Sequence, residues 1–512
     1  MRVFVTIACS LSLLAAQAQV TSEKNKKLPA TASVAARYAS LITPLSTKKQ
    51  LAVIAGAEME GRETGTRGQE RAAAYIVSQF REAGLQPGAN GKWEQYYPLY
   101  RDTLREAYIR AGDKVFRFGE DIYASIREGV NIDTTAEVVY AGYGIRNEQR
   151  DDYAGLDVKN KIVLVRDGVP VGMSASKGYP GDKNQTALAQ GARALLLISN
   201  NARNFKSFDQ RQMRRTGVYT AKEPVSKNTC GLYIITPSLA ASLFGVAQAD
   251  SLPALLERNL QLKAGTQARI VFRKDEVDMS PSNVLGYLEG TDRKEEVVFI
   301  TAHYDHLGIQ DGQIHYGADD DGSGTTAVIE LARAFMQAKK DGHGPRRSIV
   351  FMAVSGEEKG LLGSAYYTEH PVYPLTSTVA DLNIDMIGRI DPAHEKDTNY
   401  VYVIGDNKLS SAMRPISEGA NDKYTGLKLD YKYNDPNDPN AFYYRSDHYN
   451  FARHKIPVIF YFNGTHADYH RPTDTVEKID YHLLTRRAQL VFYTAWDIAN
   501  RDSRPVVDRN EK

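Results

Sequence analysis

Seven residues carry the side chains that could do chemistry here: His303, Asp305, Asp319, Glu357, Glu358, Asp385 and His470. Each stands at or just past the end of an apolar run, in a turn marked by glycine. Imidazoles and carboxylates in these numbers suit two divalent ions and leave one acid over. An acid left over beside bound water is what a hydrolase needs.

Taken in order, Val297-Val298-Phe299-Ile300 leads into Thr301-Ala302-His303-Tyr304-Asp305-His306. Alternate residues of a strand share a face, so His303 and Asp305 point the same way. Asp305 is then placed to fix the tautomer of a ligating His303. Next, Gly317-Ala318-Asp319-Asp320-Asp321-Gly322-Ser323-Gly324 sets adjacent acids before a helix. They can bridge cations or simply cap the helix. The run Ile349–Val354 ends in Ser355-Gly356-Glu357-Glu358. Two neighbouring glutamates cannot both reach one point, so one can bind metal while the other approaches a bound water. Asp385 closes another apolar run, and a buried aspartate is rare unless paired or metal-bound. His470 falls in a turn after Val458–Phe462. Each segment alone has an ordinary structural reading. Together they fit strand ends converging on one crevice.

These segments need a scaffold. From Ser282 onward apolar runs alternate with helical patterns, which predicts an α/β sheet covered on both faces. The strands are expected at Val297–Ile300, Ile349–Val354, Val379–Ile384, Tyr400–Ile404 and Val458–Phe462, with helices over Thr325–Lys339 and Leu483–Ala499. Thr47–Leu85 is helical in pattern, interrupted by the Gly-rich stretch Glu58–Thr66, which reads as a connector or part of a cleft wall. Residues 136–262 have another texture: short strands such as Ile162–Val165 and Ala194–Ile198, and no catalytic cluster. They read as a separately packed insertion. Tyr431, Tyr433, Tyr443, Tyr444 and Tyr461 could line a pocket, but aromatics at this density fit a core better.

At 512 residues the chain exceeds one compact core. Lys+Arg 64 against Asp+Glu 62 offers no case for a nucleic-acid partner. Val3 to Ala16 is mostly apolar, and Ala16-Gln17-Ala18 is a cleavage pattern, so residues 1–18 read as a signal peptide and 19–33 as a leader. That apolar stretch is shorter than the ~20 residues of a membrane span, and no later one qualifies. The expected location is periplasmic or secreted. Of the two cysteines, Cys9 lies in the signal and leaves Cys230 alone. Any metal must therefore be held by His, Asp and Glu, as suits zinc.

AHYDH, GADDDGSG, SGEEKGLLGS, NIDMIG and DYHRPTDT together resemble the co-catalytic dizinc aminopeptidase family, whose relatives include glutamate carboxypeptidases, glutaminyl cyclases and the ligand-lacking transferrin receptor. EMEGRETGTRGQERAAAYI resembles the N-terminal part of the same peptidase domain. Residues 136–262 look like an inserted protease-associated domain, between peptidase parts at 34–135 and 263–512. The resemblance implies a mixed-sheet zinc exopeptidase fold with helices on both faces, plus a smaller β-rich inserted domain. It also implies two zinc ions: Asp319 as the bridging carboxylate, His303 and Asp385 on one ion, Glu358 and His470 on the other. Glu357 would be the general base and Asp305 the residue orienting His303. Asp447, in YYRSDHYNF, would meet a substrate amine or buttress the site. The implied reaction is removal of N-terminal residues from peptide substrates. Three alternatives stay open: glutamate carboxypeptidase, glutaminyl cyclase, and a binding protein on the same fold. The first is disfavoured because little chain follows His470 for the dimerisation domain such enzymes carry, and the last because the ligand set is intact. Oligomeric state leaves no mark in the sequence.

Overall fold

The protein is described by a computed structural model covering residues 33–510, apart from 126–129, 174–179, 200–216, 221–229, 247–251, 253–255 and 257–264. The expected signal peptide, Cys9 and the leader up to Ala32 lie outside the described residues. No described helix is long and apolar enough to cross a membrane.

Two compact units emerge. One comprises the chain up to Tyr97 and from Pro281 onward; the other is Pro98–Ser280. The second unit is wider than the insertion expected at 136–262. The reason is a long antiparallel ribbon: Leu99–Ala111 pairs with Gln267–Met279 from Leu99↔Met279 to Ala111↔Ala268, with a bulge between Arg273 and Lys274. Both strands carry many charges on a half-exposed surface. Neither shows the apolar run that marks a buried strand, so nothing in the sequence sets Leu99–Ala111 and Gln267–Met279 apart from the expected peptidase parts. Inside this unit Ile162–Arg166, Ala194–Ile198 and Gly231–Ile235 lie parallel and side by side.

In the first unit, the strands that position the site are β1 (Ser282–Leu288), β2 (Arg293–His303), β3 (Arg347–Val354), β4 (Thr378–Ile384), β5 (Tyr400–Ile404) and β6 (Val458–Phe462). They stand in the order β1-β3-β2-β4-β6-β5. The pairs β3/β2, β2/β4 and β4/β6 are parallel, while β1 and β5 run antiparallel to β3 and β6. Alternation explains the burial. Val298, Ile300 and Ala302 enter one core, Val297 and Phe299 the other. The first core is filled by α1 (Pro44–Ile54), α2 (Arg67–Ala83), α3 (Gly324–Lys340) and α5 (Tyr481–Asn500). The second is covered in part by α4 (Leu362–Glu369), through Tyr367. A sheet buried on both faces is the expected α/β arrangement.

Local signals set the element ends. α2 stops at Gly84, whose φ of 97° is left-handed and whose N–H turns back to the carbonyls of Phe80 and Arg81. α5 starts on Asp480, whose carboxylate accepts from the amides of His482 and Leu483. Of the tyrosines weighed as pocket or core, Tyr433, Tyr443 and Tyr461 are buried in the core, whereas Tyr444 is exposed.

Candidate metal centre and active site

All four parallel strands deliver a residue to the same end of the sheet. β2 ends on His303, directly opposite Val354 of β3. Glu357 and Glu358 follow β3 in a single tight turn after Gly356, which has φ 75°. Asp385 follows β4, and the turn holding His470 follows β6. Such an end is where open α/β sheets place their sites.

Here the acid-rich loop corrects the expectation. Asp320, not Asp319, stands between the histidines. The Nε2 of His303 is 3.3 Å from Asp320 Oδ1, and the Nε2 of His470 is 3.0 Å from Asp320 Oδ2. Asp319 turns the other way. Its Oδ1 accepts from the amide of Gly388 at 2.7 Å and from Ser323 Oγ at 3.1 Å, and its Oδ2 from Asn463 Nδ2 at 3.0 Å, with His466 Nε2 also at 3.1 Å. The next acid, Asp321, accepts from the amides of Gly324 and Met386 and ties the start of α3 to the Asp385 loop. Asp474 holds the loop from behind by accepting from the amides of Asp319 and Asp320. Three consecutive aspartates thus have three separate tasks. GADDDGSG shows that the loop matters, but one residue of phase decides which acid faces the centre.

The other expected residues do assemble. His303 Nε2 is 3.5 Å from Asp385 Oδ1, and His470 Nε2 is 3.4 Å from Glu358 Oε2. Ligand atoms ~2.0–2.1 Å from a tetrahedral zinc are ~3.3–3.4 Å apart, so these spacings would admit a shared cation. Ligating atoms of His303, Glu357 and Asp385 all lie within 4.8 Å of one another, as do those of His306, Asp320 and Glu358. His306 Nδ1, Asp320 Oδ2 and Glu358 Oε1 are buried without hydrogen-bond partners, which is costly unless a cation is to satisfy them. The donor set fits two divalent ions. His306 was missed as a candidate, although it stands in AHYDH itself.

Asp305 supports the centre differently from expectation. The Nδ1 of His303 is 3.1 Å from the backbone carbonyl of Asp305, against 3.9 Å from its carboxylate. That carboxylate instead accepts from Thr64 Oγ1 at 2.6 Å and from the amide of Glu357 at 3.2 Å. The reason is reach: β2 ends at His303, so strict alternation has lapsed by residue 305. Asp305 therefore orients His303 through its backbone and the Glu357 turn through its side chain.

Asp447 is fully buried. Its Oδ1 accepts from Ser364 Oγ at 2.5 Å, and that hydroxyl in turn meets Asn450 Nδ2 at 2.8 Å. Of the two expected roles, burial favours buttressing over contact with a substrate amine. Its neighbour Ser446 donates to Asp385 Oδ2 at 2.7 Å and receives from Asn383 Nδ2 at 2.8 Å, fixing the Asp385 carboxylate.

Beneath the centre, the Glu58–Thr66 stretch proves to be an anchor. Arg62 is fully buried. Its guanidinium donates to the carbonyls of Tyr304 (2.7 Å), Ile54 (2.8 Å), Tyr316 (2.8 Å) and Gly317 (3.0 Å). It clamps the loop after β2 to the loop before α3.

Charge sharpens the arrangement. Burial pushes Glu357 well above the usual carboxylate range, reinforced by Glu358, Asp385 and Asp447. For Asp320 burial acts upward too, but the imidazoles of His303 and His470 facing it outweigh it and hold the group well below its ordinary value. Burial lowers His470, yet the Asp320 and Glu358 carboxylates facing it dominate and bring it up to about 10. A cation seated between these groups must therefore displace protons from His303 and His470.

The cleft beside these groups is lined by Asp320, Glu357 and Asp385 together with Met386, Phe442, Phe460, Phe462, Arg445, Thr465 and Tyr469.

Residues 283–495 match the model of Peptidase family M28, and residues 134–226 match that of the PA domain. Aminopeptidase YwaD of Bacillus subtilis is 26% identical over 383 residues, covering 72% of this chain and 68% of its own. Among solved structures, an aminopeptidase from Aneurinibacillus sp. strain AM-1 aligns with a TM-score of 0.53 at 20% identity, covering 93% of this chain and 99% of that one. BSAP, a zinc aminopeptidase from Bacillus subtilis, aligns with a TM-score of 0.51 at 20% identity, covering 92% and 98%. At such identities the structural matches speak for the fold.

Proposed function

The chain belongs to peptidase family M28 and carries a PA domain, and from that premise we propose that it is a zinc-dependent aminopeptidase with two ions in its centre. One observation carries the reading: each oxygen of Asp320 is faced by a different histidine, at 3.3 and 3.0 Å, with Glu357 close by. His303, Asp385 and Asp320 would hold one ion; Asp320, Glu358 and His470 would hold the other. Bound there, two divalent ions supply a water of lowered pKa and a Lewis acid for the scissile carbonyl.

The chain's own residues do the rest. Glu357, kept ready to carry a proton by burial and neighbouring acids, takes one from the attacking water and returns it to the departing amine. Its turn is held by the Asp305 carboxylate on its amide. The acids at the cleft favour a cationic N-terminus, and Met386, Phe442, Phe460 and Phe462 favour an apolar side chain next to it. We also infer export, with cleavage after Ala18 in the A-x-A pattern.

The test is a panel of aminoacyl anilides assayed with chelator and after zinc is restored, beside a C-terminal glutamyl peptide and an N-terminal glutaminyl peptide. Chelator-sensitive cleavage of the anilides is expected. Release of glutamate alone, or cyclisation alone, would replace the aminopeptidase reading. N-terminal sequencing of the mature protein is expected to begin at Gln19.

A further inference from the structure

The second seat has an imidazole that the pattern of five ligands does not use. His306 has no exposed surface. Its Nδ1 lies 2.8 Å from Glu358 Oε1 and 3.8 Å from Asp320 Oδ2. These are the same two carboxylates that face His470. The two rings stand at 66° with centroids 5.9 Å apart, approaching the carboxylates from different directions.

None of the three atoms involved is satisfied. His306 Nδ1, Glu358 Oε1 and Asp320 Oδ2 are all buried, and none makes an aligned hydrogen bond. A ring nitrogen 2.8 Å from a carboxylate oxygen, with no proton directed between them, is unfavourable unless both are turned toward a cation. Nor can the ring easily turn elsewhere. The His306 amide donates to the carbonyl of Arg62 at 3.2 Å. A Cβ on Gly317 would come within 2.6 Å of the His306 ring, so that backbone is packed against it.

We propose that His306 Nδ1 is a further protein ligand of the second cation, beside Asp320, Glu358 and His470. The seat then holds two imidazoles and the first only one, His303. Added nitrogen shifts preference toward zinc and cobalt and away from magnesium and manganese. The inference rests on the two-ion reading proposed above.

X-ray absorption at the metal edge of the fully loaded protein, together with equilibrium dialysis of native, His306→Ala and His306→Gln protein against buffered zinc, tests it. Expected are two ions per chain with three imidazoles shared between them. In His306→Ala one imidazole disappears from the spectrum. One ion stays tight, and the other weakens by about 100-fold or more, at or beyond the upper end of what loss of a supporting partner costs. His306→Gln, which can donate a hydrogen bond to Glu358, is expected not to restore the affinity. Two imidazoles in the loaded native protein, or a variant that binds both ions as tightly as native, would overturn the assignment. So would rescue by His306→Gln, since His306 would then act through Glu358. The native spectrum decides even if a variant fails to fold. If native protein binds fewer than two ions, the two-ion reading fails first and takes this assignment with it.

Discussion

Asp319 and Asp320 are neighbours in the chain, yet their carboxylates face opposite ways. Asp320 meets His303 and His470, while Asp319 meets the amide of Gly388 and the side chains of Ser323 and Asn463. The two positions should respond differently to the same substitution. Asp320→Ala removes the group between the ion seats, and elemental analysis is expected to find at least one ion lost together with activity. Asp319→Ala leaves every proposed ligand in place. Its cost is structural, ~1–3 kcal/mol for buried donors left unpaired, read as a lower thermal midpoint with both ions retained at saturating zinc. The reverse pattern would return the bridging role to Asp319.

Glu357 and Glu358 form the other adjacent pair, and only Glu358 approaches His470 and His306. Glu357→Gln keeps shape and removes the proton acceptor. The expected outcome is an unchanged ion count and a fall in kcat of about 10²–10⁴-fold. Loss of an ion from this variant would make Glu357 a ligand beside His303 and Asp385.

Much of this was legible in the sequence because buried parallel strands announce themselves. Continuous apolar runs such as Tyr400–Ile404 and Val458–Phe462 lie within the observed strands, and the acids and histidines follow at their ends. What stayed hidden has a physical cause in each case. Choosing Asp320 over Asp319 depends on the local path of an irregular loop, where no periodicity applies. The ribbon Leu99–Ala111/Gln267–Met279 is half-exposed, so its pattern is too weak to mark it as part of the second unit. Arg62 lies in the stretch Glu58–Thr66, which reads as a connector or cleft wall, because burial by distant segments leaves no local signal.

Arg62 carries the clearest stability consequence. Its guanidinium serves four backbone carbonyls from Ile54, Tyr304, Tyr316 and Gly317. Hydrogen bonds to a charged group contribute ~1.5–3 kcal/mol each, though not additively. Arg62→Met is expected to lower stability by more than ~3 kcal/mol, the scale of losing a buried charged partner. Arg62→Lys should be milder but still destabilising, because one ammonium cannot span that set of acceptors. Urea unfolding of the metal-free proteins measures both. A loss under ~1 kcal/mol in Arg62→Met would mean the clamp contributes little beyond packing.

Asp381 predicts a pH effect away from the ion seats. It is fully buried in β4, and its Oδ1 is 2.8 Å from Thr301 Oγ1, which is equally 2.8 Å from Asn383 Oδ1. Thr301 has a single proton for two acceptors, so a protonated Asp381 that donates to Thr301 completes the chain. Burial pushes the group well above its ordinary value of 3.8, only partly opposed by Thr301, with Asp447 adding to the rise. A carboxyl raised in the folded state stabilises the fold below its unfolded value, and that stability is lost as pH rises toward the folded value. Across this window one such proton changes stability by ~1.4 kcal/mol per pH unit. Asp381→Asn keeps the shape and a donor for Thr301 but cannot ionise. The variant should therefore gain on the native protein step by step as pH rises from about 4, in urea midpoints taken from pH 4.5 to 7.5. A gap that stays constant across that range would mean Asp381 is ionised in the fold, and its proton would have to be sought on another group.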